Sequence, residues 1–100
     1  MEIKHENNSI KLYQSDQVIG EISYQYYDEN TLDVYKTFVN PEYRGQGLAQ
    51  VLLKELMKFA TEKELLVIPN CSYVYTAFLN NPQFKKYQHP TVAALPSCRL

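Results

Sequence analysis

At 100 residues the chain has room for one hydrophobic core and no second. Hydrophobic residues make up 45% of it and charged residues 21%, too apolar a mixture for global disorder. Ten basic against eleven acidic side chains leave a net charge of −1, which gives neither nucleic acid nor an anionic membrane an electrostatic hold, so neither is expected as a partner.

The first forty residues carry a hydrophobic period of two. Ile10 and Leu12 alternate with Lys11 and Tyr13. Val18, Gly20, Ile22, Tyr24 and Tyr26 alternate with Ile19, Glu21, Ser23, Gln25 and Tyr27, and Leu32, Val34 and Phe38 with Asp33, Tyr35 and Thr37. Short polar turn-formers separate these runs, at Glu6 to Asn8, Gln14 to Gln17 and Asp28 to Asn30. The pattern predicts an antiparallel meander of three or four strands, with a first strand able to begin at Ile3. Most of the nine tyrosines read as sheet packing, where aromatic side chains are favoured.

At Asn40 and Pro41 the period changes, because proline cannot continue a central strand and Gly45 and Gly47 follow. From Leu48 to about Glu64 the spacing is helical. It puts Leu48, Val51, Leu52, Leu56, Phe59 and Ala60 on one face and Gln50, Lys54, Lys58 and Glu62 on the other. Leu65 to Ile68 is a continuous apolar run ended by Pro69, which fits a buried strand parallel to the one before the helix. Asn70 and Ser72 are both competent helix caps, and Tyr73 to Asn80 reads as a second, shorter helix. A further short element is expected between Gln83 and Tyr87. Residues 1–88 thus form a single α/β (α+β) domain on a mixed sheet, and 89–100 read as a loose tail.

The N-terminal Met1 to Glu6 lacks the apolar core of a secretion signal, and no apolar run approaches the ~20 residues of a membrane span. A cytoplasmic location is the expectation. In that reducing compartment Cys71 and Cys98 should be free thiols, and neither has a second thiol or a histidine at metal-ligand spacing, so no metal is expected.

The chemistry concentrates at the glycine turn. The first amides of a helix lack intrahelical acceptors and carry partial positive charge, which suits phosphate. Gly45 and Gly47 allow close approach and left-handed backbone, Arg44 adds a permanent charge, and Ala49 is small. A Walker A loop would need Gly-Lys-Ser/Thr, which is absent. A dinucleotide fingerprint would need Gly or Ala where Gln50 stands. The run from Arg44 to Ala49 does satisfy Arg/Gln-x-x-Gly-x-Gly/Ala at a strand-to-helix junction.

The segment Asn40, Pro41, Glu42, Tyr43, Arg44, Gly45, Gln46, Gly47, Leu48, Ala49 resembles the coenzyme A motif of the GCN5-related N-acetyltransferases. The stretch Ile68, Pro69, Asn70, Cys71, Ser72, Tyr73, Val74 is similar to a subfamily about the length of this chain that keeps a cysteine after the strand following that helix. The resemblance implies a minimal acetyltransferase fold without the substrate-binding helices of larger relatives. It implies that the amides of Arg44, Gly45, Gln46, Gly47, Leu48 and Ala49 hold the pyrophosphate of acetyl-CoA, while the backbone of the strand end Thr37, Phe38 and Val39 meets the pantetheine arm. Cys71 becomes the candidate catalytic residue, since a thiol at a helix N-terminus is biased toward its reactive thiolate. It could accept the acetyl group, orient the substrate, or only pack as a small hydrophobe.

Two departures from the family pattern follow. Phe78 stands where larger relatives place a tyrosine acid, and Lys36 stands before Thr37 where the short subfamily often has histidine. Glu21, Asp33, Tyr73 and Tyr75 are the remaining candidates to handle a proton. The implied activity is transfer of an acetyl group from acetyl-CoA to an amine that the sequence does not specify. The alternative is a non-catalytic acyl-CoA-binding or sensing module.

Overall fold

The computed structural model describes residues 1–88, so the expected tail and Cys98 lie outside the described residues. The chain runs through β1 (Glu2–Glu6), β2 (Ser9–Gln14), β3 (Gln17–Asp28), β4 (Thr31–Val39), a 3-10 turn at Pro41–Tyr43 and α1 (Leu48–Lys63). It continues through β5 (Leu66–Pro69), α2 (Ser72–Asn80) and a 3-10 segment at Pro82–Tyr87. The five strands form one sheet in sequence order, antiparallel except for β4 and β5. The meander therefore has four strands, and the strand after the helix is parallel to the one before it.

Asn7 and Asn8 close the first hairpin at φ 51° and 60°, a left-handed conformation that asparagine tolerates better than most residues. Three irregularities interrupt the register of the sheet. Ile19 is an extra residue where Leu12 pairs with Gly20 and Tyr13 with Val18. Tyr35 is another on β4, between Val34 opposite Tyr24 and Lys36 opposite Ser23, and Tyr27 a third, between Tyr26 opposite Leu32 and Asp28 opposite Thr31. The Tyr35 bulge shifts the alternation, so Phe38, expected on the face of Leu32 and Val34, is exposed instead.

The inner face of the sheet, with Ile10, Leu12, Ile22, Leu32 and Val34, packs under α1. The buried side chains of α1 are Leu48, Leu52, Leu53, Leu56, Met57 and Ala60. This corrects the expected face. Val51 is 40% exposed and Phe59 only half-buried, while Leu53 and Met57 are covered. The cause is α2 with its following 3-10 segment: Val74, Phe78 and Phe84 lie along that flank and extend the core sideways. The cap of α2 is a second correction. Asn70 lies just past β5, its amide still donating to Val34 O at 2.9 Å, and Cys71 takes the cap position in extended conformation without a side-chain cap bond.

β1 is an edge strand tied on by side chains. His5 Nε2 lies 3.0 Å from Glu55 Oε2 on α1, and Tyr13 donates to Glu6 Oε1 at 2.8 Å with Lys11 Nζ at 3.4 Å. The Tyr13 hydroxyl, aided by Lys11, holds the Glu6 carboxyl below its ordinary value. A depressed carboxylate stabilises the fold above its unfolded pKa and loses that contribution as pH falls through the folded value. Tyr13→Phe is expected to move the Glu6 titration upward, followed by carboxyl-carbon NMR. A midpoint unmoved by the substitution would show that the hydroxyl is not the cause.

Candidate functional site

The site begins where two strands part. β4 and β5 pair from Thr31 opposite Leu66 to Val34 opposite Pro69, and the Asn70 amide makes one last bond to Val34 O. The chain then turns through Cys71 into α2, while β4 runs on to Val39 paired only with β3. Beyond the Tyr35 bulge, the other edge of β4 has no ladder partner among the described residues. Backbone groups there need hydrogen bonds from elsewhere, which an extended, amide-bearing ligand supplies.

At the end of β4 the chain is fixed before it turns. The Asn40 amide donates to Ile19 O at 2.8 Å, and Asn40 Oδ1 accepts from the Glu42 amide at 2.9 Å, which caps the turn at Pro41–Tyr43. Arg44 Nε donates to Val39 O at 3.0 Å, so the guanidinium is held back against the strand end. Gly45 and Gly47 sit at φ 83° and 77°. A Cβ on Gly45 would meet nothing within 4 Å, and one on Gly47 only Gln50 Oε1 at 3.7 Å. Both glycines are thus required by backbone conformation, and the space around them stays open for a ligand.

Gly47 is the cap of α1 and offers no side-chain acceptor; the helical ladder starts with Val51 N donating to Gly47 O at 3.2 Å. The amides of Leu48, Ala49 and Gln50 therefore lie ahead of any intrahelical acceptor, at the positive end of a helix of sixteen residues. They open on a groove of about 490 Å³. Phe38, Val39, Arg44, Gly45, Gly47, Leu48 and Ala49 all line it, together with Thr37, Tyr43, Gln50 and Tyr73. Gln46, exposed between the glycines, does not line it.

Cys71 reaches the groove through Thr37. Its thiol is half-buried and donates to Thr37 Oγ1 at 3.3 Å. Phe78 is buried and packs against Phe84 with centroids 5.3 Å apart, so it is a core residue with no proton to give. Lys36 is exposed, 3.9 Å from Glu21, which also accepts from Ser23 Oγ. Asp33 differs from these: Gln25 Nε2 donates to its Oδ2 at 3.2 Å, while Oδ1 is buried with no hydrogen-bond partner. Burial, with Cys71 nearby, raises the Tyr73 phenol above its ordinary value, so it stays protonated at neutral pH. Tyr75 is half-buried and lines none of the grooves described.

Sequence reasoning missed Tyr43 and Gln50 as groove residues, and named Thr37 for its backbone without its side-chain contact to Cys71. Gln50 had a signal, since it follows the glycine turn on the first turn of α1. The contact of Thr37 with Cys71 had none, because it depends on how the two strands diverge.

The family model described as GCN5-related N-acetyl-transferase matches residues 9–87. Protein NATD1 of Xenopus tropicalis is 34% identical over 59 residues, which cover 59% of this chain and 54% of that protein. The chain thus spans about half the length of the curated relatives it matches. The solution structure of a GCN5-like protein from Staphylococcus aureus superposes with a TM-score of 0.73 at 27% identity, covering 88% of this chain and 87% of that one. A GNAT family acetyltransferase from Elizabethkingia anophelis, solved with acetyl-CoA bound, has the same fold at a TM-score of 0.54 and 22% identity, covering 79% of this chain and 51% of that one.

Proposed function

The chain belongs to the GCN5-related N-acetyltransferase family, and from that premise we propose that it binds acetyl-CoA and transfers the acetyl group to a primary amine. One observation carries the reading: the uncapped start of α1, behind two left-handed glycines, opens into the same groove as the unpaired edge of β4. That arrangement offers amides and Arg44 to a pyrophosphate and a strand edge to an amide-bearing arm. The acetyl-CoA-bound relative of the same fold supports it further.

Acetyl-CoA supplies an activated thioester when bound. The protein's part is to hold it, exclude water and present a deprotonated amine. Of the candidate proton handlers only Tyr73 lines the groove; Asp33, with one buried oxygen lacking a partner, lines none of the grooves described. Cys71 acts as a positioning residue. Among the described residues its thiol meets a hydroxyl, Thr37, and no base that would activate it as a nucleophile.

A second reading, an acyl-CoA-binding module without turnover, is favoured by Phe78, whose burial leaves the acid position of larger relatives filled by a ring. The test is a free-thiol release assay with acetyl-CoA and a panel of primary amines, paired with intact-protein mass spectrometry. Amine-dependent release is expected, with no acetyl retained on the protein. Cys71→Ala should keep release within about tenfold of wild type, the scale of a small misplacement of the reacting groups. Acetyl-CoA binding with no amine-dependent release would establish the module instead, and an acetyl on Cys71 would make that thiol a covalent relay.

A further inference from the structure

We infer that the nucleotide end of coenzyme A leaves the glycine turn through a second groove, between α1 and α2, and that Lys54 there binds the 3′-phosphate of the ribose. The inference rests on the acyl-CoA reading above and adds the residue that distinguishes coenzyme A from a form lacking that phosphate.

The second groove has a volume of about 630 Å³ and shares Gly47, Gln50 and Tyr73 with the first, so the two meet at the glycine turn. The first groove runs from that turn along β4 to Thr37, which is bonded to Cys71. A molecule whose thioester points toward Thr37, with its pyrophosphate on the amides of α1, has its adenosine half on the far side of Gly47. The second groove is where that side leads.

Coenzyme A carries a phosphomonoester on its ribose, close to a dianion at neutral pH. Among the described residues the second groove holds one cation placed to meet it. Lys54 lies one helical turn beyond Gln50 on the same face of α1, about 10 Å along the axis from Gly47. Its charge is available: the ion pairs among the described residues are His5 with Glu55, Lys11 with Glu6 and Lys36 with Glu21. Lys54 also borders a third groove with Lys58, Glu62 and Lys86, whereas Lys58, one turn further, lines that groove and not the second. Its place one turn further from the glycine turn, outside the second groove, makes Lys58 the natural control.

The experiment titrates coenzyme A and 3′-dephospho-coenzyme A by calorimetry into wild type, Lys54→Gln and Lys58→Gln. Wild type is expected to prefer coenzyme A by about tenfold, the scale of one charge-assisted contact at a partly exposed site. In Lys54→Gln that preference should vanish, with the affinity for the dephospho form unchanged; this also shows that the variant is folded. Lys58→Gln should keep the preference, and added salt should shrink it in wild type. The inference is overturned if Lys54→Gln retains the preference, if it weakens both nucleotides alike, or if Lys58→Gln is the variant that loses it. If neither nucleotide binds wild type, the acyl-CoA reading itself falls, an outcome distinct from binding without discrimination.

Discussion

Gly47→Val is expected to lose acetyl-CoA binding by more than a hundredfold, while Gly47→Asn keeps most of it. The reason is conformational. At φ 77° a β-branched residue is strained by about 1–2 kcal/mol, whereas asparagine visits this region readily. Crowding does not decide the outcome, since the nearest atom to a new Cβ is Gln50 Oε1 at an ordinary 3.7 Å. Valine relieves its strain by turning the backbone at the cap of α1. That re-aims the amides of Leu48, Ala49 and Gln50, which have no other acceptor. Hydrogen bonds to a charged group contribute about 1.5–3 kcal/mol each, so losing two of them exceeds a hundredfold in affinity. Calorimetric titration of the three proteins, with thermal melts to record the smaller cost to stability, measures both effects. Wild-type affinity in Gly47→Val would remove the pyrophosphate from this turn.

The legible part of this molecule is its local part. Arg44 to Ala49 stood out because residues adjacent in sequence must adopt one turn, and the glycines that turn needs are written next to each other. The meander was equally readable from alternation, down to the turn at Asn7 and Asn8. Features that depend on where a distant element lies were not readable. Helical spacing defined an apolar stripe on α1 but could not say on which flank α2 would pack, so Val51 was expected inside and Leu53 and Met57 were not. The contact of Cys71 with Thr37 joins residues 34 apart, brought together only because β5 stops at Pro69 while β4 continues. Lys54 looked like an ordinary solvated lysine on the outer face of a helix until α2 turned that face into a groove wall.

Leu52→Ala is expected to cost about 2–5 kcal/mol, a large share of the 5–15 kcal/mol that holds a domain of this size together. Leu52 is fully buried one turn into α1, and its partner on the sheet is Gly20. Gly20 is not among the residues with positive φ, so its glycine is explained by contact: an added Cβ would stand 3.2 Å from Leu52 Cδ1 and 3.6 Å from Leu12 Cδ1. Gly20→Ala alone should therefore destabilise by about 1–3 kcal/mol through overpacking. Combined with Leu52→Ala, the same methyl fills part of the cavity, so the double variant should be more stable than the sum of the two losses predicts. Urea unfolding of the four proteins gives the coupling directly, and strictly additive losses would show that the two sites are not in register. The consequence reaches the site, because Gly20 pairs with Val39 and the neighbouring Ile19 carbonyl accepts from the Asn40 amide. The same contact that seats α1 on β3 thus sets the separation between the α1 amides and the free edge of β4. Either single substitution is expected to weaken acetyl-CoA binding under conditions where the protein remains folded, and the pair to recover part of that loss.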